Sequence, residues 1–173
     1  GRIVMYTTPD SGETLTEALR ITNAGEISSP TQCKFHVYQD TDNASNVTGD
    51  GTLHTMVWDT TIFDVGGNIG TGAFTAPVAG KYYFAAMVST IGNLTSHNAY
   101  QFRLVSSNLL VEWRSDAGSI LEDNTIVRPS FYIVLNMDAG DTAHVDYNVH
   151  GGTQVIDLQH AINSNYFMGG LLV

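Results

Sequence analysis

The sequence predicts an all-β sandwich of about ten antiparallel strands, and three observations predict it. Apolar residues nowhere recur with a sustained 3.6-residue period, so helix content should be near zero. Short runs rich in Val, Thr, Tyr and Phe alternate instead with turn clusters at roughly even spacing, as a sandwich or jelly roll requires. The composition agrees, with 17 glycines but only 4 prolines in 173 residues.

The first thirty residues differ in character from the rest. Residues 18–27 alternate apolar and polar side chains on both sides of Asn23-Ala24-Gly25, which signals a short hairpin. Residues 1–30 are therefore expected to form an N-terminal β-hairpin neck or extension, and 31–173 one head domain. Within the head, 33–38 is the expected first strand, followed by a polar loop over 40–51. Further strands are expected over 53–58, 62–63, 72–75, 81–90, 99–106, 109–114, 126–137, 141–150, 154–158 and 165–173.

Side-chain alternation orients two of these strands. Val145, Tyr147 and Val149 share one face, with His144, Asp146, Asn148 and His150 on the other. Leu109, Val111 and Trp113 should face inward, with Leu110, Glu112 and Arg114 outward. Residues 82–88 and 131–135 are apolar on both faces. In an antiparallel sandwich such strands need a second covering surface, either a loop or a neighbouring subunit.

Charged residues make up 14% of the chain, well below the ~25% of an average soluble domain, which favours the neighbouring subunit. The last seven residues, Phe167 to Val173, are apolar throughout, although chain ends are ordinarily polar. Burial of the carboxy terminus is expected.

The formal charge of −10, with seven Lys and Arg, argues against a nucleic-acid partner and against an anionic membrane surface. No apolar run approaches the ~20 residues of a membrane helix, so membrane insertion is not expected. No signal peptide is written in these residues; a longer parent chain before Gly1 stays open. Cys33 is the single cysteine, read as a small buried apolar residue.

One stretch narrows the fold class. Gly72-Ala73-Phe74-Thr75-Ala76-Pro77-Val78-Ala79-Gly80-Lys81-Tyr82-Tyr83-Phe84 places a Phe-bearing strand, a Pro/Gly turn and an aromatic strand in order. Leu135-Asn136-Met137-Asp138-Ala139-Gly140-Asp141 follows, and the chain closes on Phe167-Met168-Gly169-Gly170-Leu171. This series resembles the C1q/TNF-like jelly-roll family, over roughly residues 31 to 173. The resemblance implies a homotrimeric binding head without catalytic activity or a required cofactor, its final strand near the threefold axis. Phe35, Tyr100, Phe102, Tyr147, Phe167, Leu171 and Leu172 are then the expected trimer or core residues. Asp141 matches the Gly-Asp of the pattern and is expected to close a turn.

The segment Leu19-Arg20-Ile21-Thr22-Asn23-Ala24-Gly25-Glu26-Ile27 is similar to the hairpin repeats that precede heads in phage and viral tail fibres. Two functional expectations follow. One is the receptor-binding tip of a phage or viral fibre on the virion surface, recognising a host-surface glycan or protein receptor. The other is a secreted, extracellular C1q/TNF-like lectin or receptor ligand.

Metal ligation has two candidate groups. Asp40, Asp42 and Asp50 in one loop, with Glu122 and Asp123 in another, offer hard oxygen ligands suited to calcium. His144 and Asp146 share a strand face and could ligate a transition metal, as could three copies of one His about a threefold axis, but His150, ~20 Å along the strand from His144, could not share an ion with it. For catalysis there is no nucleophile elbow, zinc-protease helix or phosphate loop. Ligand contacts are expected on the loops 40–51, 92–98, 115–124 and 151–154. Asn43-Ala44-Ser45, Asn46-Val47-Thr48 and Asn93-Leu94-Thr95 are formal glycosylation sequons.

Overall fold

Where apolar and polar residues alternate, the backbone is extended and pairs with a neighbour that alternates in step. A computed structural model describes residues 1–8, 12, 14–40, 44–116, 123–160 and 164–172, and among them it has sixteen strands and no helix. In chain order the first eight are β1 (Ile3–Thr7), β2 (Thr16–Ile21), β3 (Ile27–Ser28), β4 (Lys34–Tyr38), β5 (His54–Thr55), β6 (Thr60–Val65), β7 (Ala73–Thr75) and β8 (Gly80–Met87). Then come β9 (Thr90–Asn93), β10 (Ala99–Ser106), β11 (Leu110–Asp116) and β12 (Thr125–Val127). The last four are β13 (Ser130–Met137), β14 (Thr142–His150), β15 (Asp157–Leu158) and β16 (Tyr166–Leu171).

Two sheets make the sandwich, and every pairing in them is antiparallel. One runs β13-β8-β16-β4-β6; the other runs β11-β10-β14, with β5 and β7 sharing the far edge of β14. A small sheet, β12-β9-β15, sits at one end. The first residues form their own sheet, β1-β2-β3, which pairs with no other described strand. Its second turn is the anticipated one: the Thr22 N–H donates to the Glu26 carbonyl (2.8 Å), and Gly25 takes a positive φ of 88°.

The core is aromatic and is built from the motif residues. Phe74 stacks on Phe35 at 5.0 Å and meets Tyr82 and Phe84, each at 5.5 Å. Phe167 closes the group edge-on to Phe35 at 5.0 Å, and Trp58 stacks on Phe167. A second group, Phe102, Trp113 and Phe131, joins β10 and β11 to β13 across the sandwich.

Backbone hydrogen bonds tie the two turn motifs together. Ala76 N–H donates to the Asp141 carbonyl and Gly140 N–H to the Ala76 carbonyl, both at 2.8 Å. The Asp141 carboxylate accepts from Asp138 N–H (2.8 Å) and the Asn108 amide (2.6 Å), which closes that turn. Cys33 is buried, and burial pushes its thiol up to about 11.

Several element boundaries differ from the sequence reading, each for a local reason. Of 53–58, only His54–Thr55 is strand, because Met56 N–H turns to the Val145 carbonyl and Trp58 N–H to the Thr71 carbonyl. The run 126–137 breaks before Ser130, where Pro129 has no N–H to give a ladder. The run 81–90 breaks after Met87, where the chain leaves one sheet for the small end sheet. Leu109 is exposed, not inward, because it lies in a turn where Ser106 and Leu109 exchange hydrogen bonds. Strand β1 has no counterpart in the sequence reading.

Candidate functional site

Strand direction sets the two ends of the head apart. The chain enters beside the end of β16: the Gln32 amide donates to the Leu171 carbonyl (2.5 Å), and Leu171 N–H donates to the Cys33 carbonyl (3.0 Å). From there β4 runs away to Tyr38, opposite Tyr166. At ~3.4 Å per residue, the length of β14 carries the chain about 30 Å to the opposite end.

At that distal end the described parts of the candidate loops converge. Gly152 N–H donates to the Gly49 carbonyl (3.0 Å) and Val47 N–H to the Ile156 carbonyl (2.8 Å), joining loop 40–51 to loop 151–154. Asn124 N–H donates to the Asn93 carbonyl (2.7 Å), joining loop 115–124 to loop 92–98. His97 is buried where they meet. Its Nδ1 accepts from Leu94 N–H (2.9 Å), so Nε2 carries the proton and faces the Thr153 carbonyl at 3.4 Å. Gly49 has a φ of 132° and packs against the Thr153 carbonyl, where a side chain has no room.

Beside this end sheet lies a cleft of about 540 Å³, within the ~300–1,000 Å³ range of ligand sites. Its walls include Ser45, Arg128, Asp157, Gln159 and His160. Buried polar side chains fix the walls from behind. Ser89, fully buried, accepts from Arg128 Nε (3.1 Å) and donates to Gln159 Oε1 (2.6 Å). Its N–H donates to Asn165 Oδ1 (2.6 Å), and the Asn165 amide donates to the Gln159 carbonyl. Asp157 Oδ1 accepts from Asn46 N–H at 2.7 Å.

A different surface covers the outside of the β13-β8-β16-β4-β6 sheet. The register lines up Tyr132, Ala85, Met168, His36 and Phe63 in one row across all five strands. Flanking rows add Val134 with Tyr83, and Met87 with Tyr166 and Tyr38. Tyr132 is 66% exposed. His36 sits edge-on between Phe63 and Tyr166, its Nε2 without a hydrogen-bond partner, and burial holds its pKa below the ordinary value. This is an apolar, aromatic face with one neutral imidazole in it.

No family model matches the sequence, and no curated protein matches it. Solved structures do. The globular domain of zebrafish complement 1qA protein aligns with 82% of this chain and 98% of its own, at 17% identity and TM-score 0.58. Murine APRIL at pH 8.0 aligns with 82% of this chain and 99% of its own, at 10% identity and TM-score 0.55. The chain has a C1q/TNF-like jelly-roll fold.

Within this C1q/TNF-like frame the named candidates separate. Phe35, Tyr100, Phe102, Tyr147 and Phe167 lie in the core of the sandwich and cannot reach a neighbour. Leu171 packs against that core, while Leu172, past the end of β16, is exposed. The residues that do face outward beside the final strand, Tyr83, Tyr132, Val134 and Met168, were not singled out in the sequence, although two-face apolarity in 82–88 and 131–135 pointed at their strands.

The metal candidates do not assemble: no three His, Cys, Asp or Glu side chains gather among the described residues. Asp40 contributes its N–H to Asp59, and Asp50 takes the Thr52 N–H at 2.9 Å, a turn bond that lowers its pKa. Asp123 is held low by the Thr95 N–H and hydroxyl. Asp42 and Glu122 lie outside the described residues. His144 Nε2 is 3.6 Å from Asp146 Oδ1, but Asp146 is already engaged by the Thr55 hydroxyl at 2.7 Å.

The outer face of β14 is more buried than a solvated polar face would be. Asn148 donates to the Gly51 carbonyl (3.3 Å), and His150 Nε2 lies 3.2 Å from Gln101 Oε1, which also accepts from Arg103. Of the sequons, Asn93 is fully buried, its amide given to Thr90 and Thr125, so it offers nothing to a glycosyltransferase in the folded chain.

Proposed function

We propose that the chain is a homotrimeric, non-catalytic binding head, displayed outside the cell on the β1-β2-β3 neck, with ligands met by the distal loops. The observation that carries this reading is the apolar face of the β13-β8-β16-β4-β6 sheet. A contiguous apolar surface on a protein with so little charge is expected to be covered, and in this fold copies of the same chain are the natural cover.

Two kinds of parent protein agree with this architecture. The structural neighbours, a complement head and murine APRIL, support a secreted C1q/TNF-like head. The hairpin phrase Leu19–Ile27 is the one observation that supports a virion fibre tip, with a host-surface receptor as its partner. In either, three equivalent sites give avidity without a tight single contact.

The trimer is checked by light scattering coupled to gel filtration. The mass expected at micromolar concentration is three times 18.7 kDa. A monomer under those conditions would end the reading. The parent type is settled by the sequence before Gly1: further hairpin repeats indicate a fibre, a Gly-X-Y stalk a secreted collagen-like protein.

A further inference from the structure

The cleft beside β12, β9 and β15 presents hydrogen-bond donors that no acceptor among the described residues fills, and this selects the chemistry of a ligand. Ser89 has a single proton, and it goes to Gln159 Oε1. Arg128 Nε therefore meets the Ser89 lone pair, and the direction of the chain Arg128 to Ser89 to Gln159 is fixed. That arrangement uses the Arg128 Nε and the Gln159 side-chain oxygen Oε1. It leaves the terminal guanidinium nitrogens and the Gln159 amide nitrogen, all donors, at the cleft wall.

Arg128 also differs from the other arginines of the head. Arg103 and Arg114 are within ion-pair distance of Glu112 (2.7 Å) and Asp116 (3.6 Å). Arg128 has no carboxylate within 4 Å among the described residues, in a chain whose formal charge is −10. Arg128 is exposed, but its Nε is anchored to a fully buried serine, which fixes the base of the planar fork at the cleft. A fork held in this way matches a planar carboxylate.

The other wall accepts. One oxygen of Asp157 takes the Asn46 N–H, and the second accepts no such bond from the described residues, while Ser45 adds a hydroxyl to the lining. A phosphate dianion on Arg128 would share the cleft with the Asp157 charge. A singly charged carboxylate on a ring bearing hydroxyls suits both walls, since hydroxyls donate to Asp157 while the carboxylate accepts from Arg128. We propose that this cleft binds an acidic saccharide, with its carboxylate on Arg128 and its hydroxyls on Asp157 and the Gln159 amide.

This inference rests on the reading of the chain as a binding head, and the two fail separately. The test is titration of residues 1–173 by calorimetry, with amide shifts of Asp157 to Gln159 recorded alongside. The probes are a glucuronate-terminated disaccharide, its glucose-terminated neutral counterpart, acetate and inorganic phosphate. The acidic disaccharide should bind at least about tenfold more tightly than the other three, because a charged bidentate pair adds to the hydroxyl contacts. Arg128→Gln should bring the acidic sugar to the level of the neutral one, with the melting temperature unchanged. Asp157→Asn should weaken both sugars.

Equal binding of the neutral sugar overturns the inference, as does phosphate or acetate binding as tightly as the acidic sugar, or indifference to Arg128→Gln. No shift at Asp157 to Gln159 with any sugar overturns it too. A protein that is trimeric yet silent to these sugars removes the cleft assignment alone. A monomer that still binds the acidic disaccharide removes the trimer and leaves the cleft.

Discussion

A single charge on the apolar face tests whether copies of this protein assemble through it. Ala85 lies at the middle of that face, between Tyr132 on β13 and Met168 on β16. In Ala85→Glu the new side chain points outward, so the fold of one chain has little reason to change. If the face is covered by other copies, the carboxylate becomes buried without a partner, and three of them do so in one trimer. Taking about 3 kcal/mol for each, at the low end of the several kcal/mol per unpaired buried ion, the trimer loses about 9 kcal/mol. At ~1.4 kcal/mol per factor of ten, that is about six orders of magnitude in the assembly constant. Light scattering should then give 18.7 kDa for the variant, with the far-ultraviolet β spectrum of the parent. Leu110→Glu is the control, because Leu110 is an exposed apolar residue on the other sheet. It should leave the trimer intact. A trimeric Ala85→Glu, or a Leu110→Glu that dissociates, would refute the assignment of this face.

Three further outcomes concern the core, the histidines and the thiol. Phe74→Ala removes a fully buried ring that meets Phe35, Tyr82 and Phe84; a loss of ~3–5 kcal/mol at ~2–4 °C per kcal/mol should lower the melting temperature by about 10 °C. Burial lowers the pKa of His36 and, against the opposing pull of Asp146, of His54 below the ordinary 6.5. The unfolded chain then binds more protons than the folded one, so stability present above about pH 6.5 should fall as the pH drops below it, and His36→Gln with His54→Gln should flatten that slope in denaturant titrations. The Cys33 thiol, buried and pushed up to about 11, should resist a disulfide-exchange reagent at pH 8 until denaturant is added, and rapid labelling of the native protein would contradict its placement.

How much of this was legible in the residues differs between the core and the surfaces. Strand 99–106 and the alternation of Val145, Tyr147 and Val149 against His144, Asp146 and Asn148 were readable, because a period of two is a local property and the buried face enforces it. The break at Pro129 was also local and could have been taken from the missing N–H. Other features depend on contacts distant in sequence. That Met56 bonds to Val145, or that Ser89 orients Arg128 and Gln159, follows from which loops meet, and no spacing encodes it. The named trimer or core residues show the same limit. Aromatic residues such as Phe35 and Phe167 could be recognised as buried, but the face they take is decided by the register between strands, and it places them inside.

The outer faces of the two sheets differ in a way that bears on assembly and binding together. On β10, β11 and β14 many outward groups pair with one another: Arg103 bridges Glu112 (2.7 Å) and Gln101 (2.6 Å), and His150 joins Gln101 to Asn148. Covering such a face with protein would remove water from charges already paired, with little gained. The face led by Tyr132, Tyr83 and Met168 has few polar groups to satisfy, and covering it gains ~25 cal/mol per Å² of apolar area. Association through that face, about an axis running along the strands, would turn all three loop ends the same way, since every chain enters from the opposite end beside Leu171. The clefts lined by Arg128 would then stand together at the distal tip. Each could bind an acidic sugar loosely, while the head as a whole held firmly to a surface that presents many of them.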